Sequence, residues 1–174
     1  MDNRFVKKSY RVSLTAMFAA LTLIMLYLAA ILPTGRLAFY FLSSIFISAV
    51  LVERQPVMAL MLYLVVSGLG LLIVPNLTMV LPYVLLFGHY GIGKYYIEKI
   101  KDKVTCFILK LLYFDLFLGL TYWLVGNLLL GSLLEQLQPW VLIVLSQVAF
   151  VIYDILYSKV TLYYYNNIRK KLVK

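Results

Sequence analysis

The sequence predicts an all-α integral membrane bundle of six transmembrane helices with both termini on the cytoplasmic side, and three observations carry that prediction. The 174 residues are 64% hydrophobic and 13% charged, with a mean hydropathy of +0.94. A water-soluble domain carries about 45–50% apolar and about 25% charged residues. The apolar residues fall in six runs of the length a bilayer demands, roughly 20 residues each. Finally, the basic residues alternate from one side of these runs to the other.

The runs are 12–32, 37–52, 57–74, 79–97, 104–130 and 140–164. A basic leader (Arg4, Lys7, Lys8, Arg11) precedes the first, as it would a signal peptide. That run is too long for a signal h-region and ends in Pro33-Thr34-Gly35-Arg36, so it reads as a retained first span. The second run is short and ends at Glu53-Arg54. Pro56 opens the third, and Pro75-Asn76 closes it. The fourth runs into a basic segment from Lys94 to Lys103. Gly131 and Pro139 bracket the loop between the fifth and sixth. All six must be helices, because backbone in hydrocarbon has to satisfy its own hydrogen bonds and the runs lack the alternation of a barrel.

With six spans and the N-terminus inside, fifteen of the 16 basic residues fall on the cytoplasmic side, and only Arg36 falls outside. A different span count would scramble that alternation. Many of the 15 tyrosines stand near span ends, where interfacial aromatics belong. Internal repeats and Gly/Ser linkers are missing, so residues 1–174 read as a single membrane domain. The single cysteine, Cys106, permits no internal disulfide.

Catalytic chemistry is sparse. One histidine, His89, and no His/Cys/Glu cluster at metal-ligand spacing argue against a metal site. Gly88, Gly91 and Gly93 lack the strand–turn–helix setting of a nucleotide fingerprint. The reading is a protein that is not an enzyme and has no cofactor. Two acids, Asp115 and Asp154, lie within the fifth and sixth spans, in the inner half of the bilayer. An intramembrane carboxylate costs about 2.5–3.5 kcal/mol on insertion scales, so it is expected to face the bundle interior or a cavity. Lys94, Lys110, Lys159, Tyr90 and Tyr113 are the available partners. The pairs have two readings: a structural ion pair that fixes helix packing, or proton or cation coupling. His89 reads as a hydrogen-bonded packing residue or a contact to a cytoplasmic partner.

On the outer side stand Arg36, Tyr83, Trp123, Asn127, Trp140 and Gln147, with Asn76, Thr78, Glu135, Gln136 and Gln138 in the loops. A few polar groups among aromatics is the composition of a small-molecule pocket. The tryptophans read equally well as interface anchors.

The first span carries Ala16-Met17-Phe18-Ala19-Ala20 at its cytoplasmic end, and small residues four apart let another helix approach closely. With six spans, cytoplasmic termini and short loops, the chain resembles the substrate-binding (S) components of energy-coupling factor transporters. Ala16 and Ala20 match that family's Ala-x-x-x-Ala motif. The resemblance implies that they dock a transmembrane coupling subunit, that two ATPase subunits drive the complex, and that the chain captures a vitamin-like small molecule from outside. The third span departs from the glycine-rich character of many members, retaining Gly68 and Gly70. Two alternatives stand beside this expectation. One is a non-catalytic scaffold or accessory subunit of an envelope complex. The other is an independent secondary transporter using Asp115 and Asp154, which the small size and missing inverted repeat disfavour.

Overall fold

The computed structural model describes residues 3–32, 34–129 and 139–168, with side chains over 9–32, 34–124 and 140–167. Pro33, the 130–138 loop with Gly131, Glu135, Gln136 and Gln138, and the basic tail from Arg169 lie outside the described residues. So do the side chains of Arg4, Lys7, Lys8 and Asn127.

Every regular element among the described residues is helical. We number the helices α1 (Asn3–Ile31), α2 (Arg36–Val52), α3 (Pro56–Ile73), α4 (77–97), α5 (Lys103–Leu129) and α6 (Pro139–Tyr163). These are the six predicted segments, with α1 starting nine residues ahead of the apolar run because the basic leader continues the same helix. Four stretches are long and apolar enough to cross a membrane: Ser9–Ile31 in α1, Pro56–Ile73 in α3, Lys103–Leu124 in α5, and Trp140–Asn167 in α6 and the π-turn Tyr164–Ile168 that continues it. The 17 residues of α2 extend about 26 Å, short of the roughly 30 Å hydrocarbon thickness.

The chain divides into two compact units, residues 1–92 and 93–174. In the first, α1 packs on α2 and α3, and the early part of α4 packs on all three. The buried stripe of α1 is Leu14, Phe18, Thr22, Leu26 and Ala29, the three-to-four spacing of one helix face. Small polar residues line the facing side of α2. Ser43, Ser44 and Ser48 are buried, and each hydroxyl donates to the carbonyl three residues back at 2.7 Å. Their polarity is thereby met locally while their size permits close helix approach.

The turns follow from particular residues. Gly35 enters the left-handed region (φ 78°) to start α2, a conformation glycine adopts without a Cβ clash. Pro56 occupies the first turn of α3, where its missing N–H is no loss. Asn76 caps α4 through Oδ1, which accepts from the Thr78 N–H at 3.1 Å and its hydroxyl at 2.7 Å.

Within α4, Pro82 ends the α-helical segment Leu77–Pro82 and a π-turn, Tyr83–Phe87, follows before the helix resumes over Gly88–Ile97. Proline removes a donor and pushes away the carbonyl four residues back. The Tyr83 N–H consequently bonds Val80 O rather than Met79 O. Two tyrosines from neighbouring helices repair the ladder: the Tyr40 hydroxyl donates to Met79 O at 2.6 Å, and that of Tyr63 to Val84 O at 2.9 Å.

The second unit consists of the last turn of α4, then α5 and α6. Asp102 caps α5, its Oδ2 accepting from the Thr105 N–H at 2.9 Å and from the Thr105 hydroxyl. These bonds, the hydroxyl's first, hold this exposed carboxyl below the usual aspartate range. Phe114 of α5 stacks on Phe150 of α6 with ring centroids 4.4 Å apart.

Candidate functional site

The most concentrated chemistry lies in the second unit, where four charged side chains meet. Lys94 sits on the resumed helical segment of α4, whose glycines allow neighbours to come close. A Cβ at Gly93 would stand 2.6 Å from the end of the Tyr113 ring of α5, so any larger residue there requires that ring to shift. One turn beyond, Glu98 follows Lys94 at i, i+4. Lys110 projects from α5 and Asp154 from α6.

Asp154 is the hub. Its Oδ1 pairs with Lys94 Nζ and its Oδ2 with Lys110 Nζ at 2.7 Å. Glu98 Oε1 stands 3.4 Å from Lys94 Nζ and 3.3 Å from Lys110 Nζ. Two ammonium groups thus face two carboxylates, and the cluster is neutral as a whole. Lys94 Nζ also donates to Ser158 Oγ at 2.6 Å and to Asp154 O at 3.2 Å, and the Tyr157 ring lies 5.5 Å away. An ammonium has three protons to place, and here each finds an acceptor.

Burial separates the members of the cluster. The Lys94, Lys110 and Asp154 side chains are 5%, 10% and 12% exposed, whereas Glu98 is 45% exposed. The first three are a buried pairing in which each charge depends on the others. Glu98 is the solvent-facing arm. Such a network fixes three helical segments at one end of the second unit and leaves no ammonium or carboxylate of the buried trio unmatched.

Of the partners expected for Asp115 and Asp154, the structure thus brings Lys94 and Lys110 onto Asp154. Lys159 forms no ion pair among the described residues. Glu98 and Ser158 were not foreseen as members. The signal existed in the spacing, since Glu98 lies four residues beyond Lys94 and Ser158 four beyond Asp154, one helical turn in each case.

Asp115 lies elsewhere. It is exposed on α5, and its Oδ1 accepts from Gln147 Nε2 of α6. Gln147, expected in an outer ligand set, therefore meets a carboxylate of its own chain. The other members of that set are dispersed. Arg36 donates from Nε to Leu32 O at 3.3 Å. Tyr83 is fully buried in the first unit, with its ring 6.2 Å from that of Tyr63. Trp123 and Trp140 are 79% and 66% exposed. His89 donates from Nε2–H to Leu85 O at 2.7 Å and meets the Tyr63 ring edge-on at 6.1 Å.

Ala16 and Ala20 are both exposed. At 100° per residue they lie on the side of α1 opposite the Leu14–Ala29 stripe. The face that α1 turns away from α2 and α3 therefore carries two methyl-sized side chains one turn apart, at its N-terminal half.

Among the described residues, no group of three or more His, Cys, Asp or Glu side chains is arranged to hold a metal ion. Compared with protein families, with curated proteins and with solved structures, the chain matched none.

Proposed function

We propose that this chain is a multi-pass protein of the cell membrane, with both termini cytoplasmic, that serves as the substrate-capture subunit of an ATP-driven importer of the energy-coupling factor type. The observation that carries the proposal is the exposed Ala16–Ala20 face. Hydrocarbon gives helices no hydrophobic reason to associate, so close packing at small residues supplies the contact. A smooth patch on an otherwise bulky helix surface, flanked by exposed Val12, Met17 and Ile24, suits the docking of a partner helix. The chain binds a vitamin-like small molecule and performs no catalysis itself. Energy comes from the ATPase subunits through the coupling subunit.

The test is purification of the tagged chain from its native membrane at defined stoichiometry. The expected result is co-elution of one polytopic coupling subunit and two ATPase subunits, lost in Ala16→Trp and Ala20→Trp while the yield and helicity of the chain are kept. Mass spectrometry of the isolated chain should release one small molecule per polypeptide. A chain that elutes without ATPases and without a bound molecule is instead the scaffold described above.

A further inference from the structure

At one end of the second unit, positive charge outnumbers negative. Lys94, Lys99, Lys101, Lys103 and Lys110 come from the end of α4, the turn after it and the first two turns of α5. Among the described residues, the carboxylates of the same region are Glu98 and Asp102, with Asp154 joining from α6. Asp102 is turned to its own helix, where it accepts from the Thr105 N–H. Lys99 Nζ lies 4.5 Å from the centroids of both the Tyr95 and Tyr96 rings, so this rim joins ammonium groups to aromatic surface. From it α5 and α6 run on with exposed apolar side chains, Leu112, Leu116, Val148 and Ile152 among them.

Behind the rim, the two buried lysines are not held alike by their two acids. Asp154 gives one oxygen to each ammonium, and its contact with Lys110 is 2.7 Å. Glu98 reaches both through Oε1 at 3.4 and 3.3 Å, from a half-exposed position just past the end of α4. Lys94, Lys110 and Asp154 alone carry one uncompensated positive charge, which burial makes costly. Glu98 supplies the balance, yet it is the member that an incoming anion can displace. It is loosely bonded, it faces solvent, and its side chain recovers rotamer freedom on release. A replacement has to bring one negative charge to keep the cluster neutral.

We infer that Lys94 and Lys110 form a binding site for a singly charged phosphate group, which takes the place of the Glu98 carboxylate between them. A phosphodiester has one negative charge and two terminal oxygens, one for each ammonium, so the exchange leaves the cluster neutral. Charge-assisted bonds of this kind are the strong ones. Basic pockets between membrane helices hold anionic lipid headgroups, and the lysine-rich turn raises the local concentration of anions. The phosphodiester of an anionic phospholipid meets these conditions with its chains on the exposed apolar flanks of α5 and α6. Inorganic phosphate shares the headgroup chemistry without the chains. This site goes beyond the importer reading and does not depend on it.

The experiment is thermal unfolding of the full-length chain in an uncharged detergent, followed by far-UV circular dichroism. Phosphatidylglycerol or phosphatidylcholine is added at rising mole fraction. In a separate arm, sodium phosphate is titrated against sodium chloride at constant ionic strength. A saturable rise in Tm with phosphatidylglycerol is expected, with none for phosphatidylcholine. Glu98→Gln removes the competing carboxylate and should lower the half-saturating fraction about tenfold. Lys110→Gln should raise it about tenfold, the scale of one hydrogen bond to a charged group. A cluster that only ties helices together predicts no tightening in Glu98→Gln. Saturation by phosphatidylglycerol alone identifies a lipid headgroup, and saturation by inorganic phosphate alone identifies a free anion. The proposal is overturned if neither saturates, if the two lipids shift Tm equally, or if Glu98→Gln binds no more tightly than the parent. Should Lys110→Gln fail to fold, the comparison of Glu98→Gln with the parent decides alone.

Discussion

Asp154 and Glu98 are both carboxylates in one cluster, yet their substitution should have very different consequences. Asp154→Asn leaves Lys94 and Lys110 facing each other, with both side chains at most 10% exposed. Removing one partner of a buried pair typically costs about 3–5 kcal/mol, because an uncompensated charge remains. Glu98→Gln removes a half-exposed partner and leaves both lysines on Asp154, so its effect should stay within about 1 kcal/mol. Detergent-solubilised thermal unfolding of the two variants measures the difference. Equal losses would mean that Asp154 is not the hub. The sequence pointed to Asp115 and Asp154 and to their candidate lysines, but neither to Glu98 nor to which acid held the lysines. Lys94 and Asp154 are 60 residues apart, and Lys110 and Asp154 are 44 apart, so helix rotation and neighbour choice decide the pairing.

At the level of the helix, glycines separate into those that are filled and those that are open. A Cβ on Gly88 would lie 2.8 Å from the Tyr63 ring and 2.9 Å from the Tyr83 carbonyl oxygen. That carbonyl belongs to the π-turn after Pro82 and accepts from the Gly88 N–H, so it cannot swing aside without breaking the turn. Gly88→Ala should therefore destabilise by about 1–3 kcal/mol, as overpacking does. A Cβ on Gly68 would meet nothing within 4 Å, and Gly68→Ala should stabilise by about 0.5–1 kcal/mol through reduced backbone freedom. Unfolding midpoints of the two variants should move in opposite directions, and movement in the same direction would reject this account of the π-turn. The positions of all six helices were readable from apolar runs and from the proline and glycine punctuation. The π-turn was not, because it depends on the Tyr40 and Tyr63 hydroxyls arriving from α2 and α3 to bond the carbonyls of Met79 and Val84 on either side of Pro82.

For the whole molecule, the distribution of basic residues makes an orientation prediction. In a Cys106→Ala background, cysteines at Thr34 and Leu77 should react with a membrane-impermeant maleimide in intact cells. A cysteine at Lys101 should react only after permeabilisation. Labelling of Lys101→Cys from outside would invert the topology, and with it the placement of Ala16 and Ala20 near the cytoplasm.

The sequence by itself determined the helical class, the six helices and the character of their ends. Those properties follow from the length and apolar character of the runs, four of them long enough to cross a membrane, and from the need of each backbone segment to satisfy its own hydrogen bonds, and both act along the chain. Only the tertiary structure decided which side chains meet across helices, Asp154 with two lysines and Asp115 with Gln147, and which face of α1 is left exposed, the one carrying Ala16 and Ala20. Those outcomes depend on how each helix is rotated about its axis, which side-chain packing sets and a linear pattern of apolar residues leaves open.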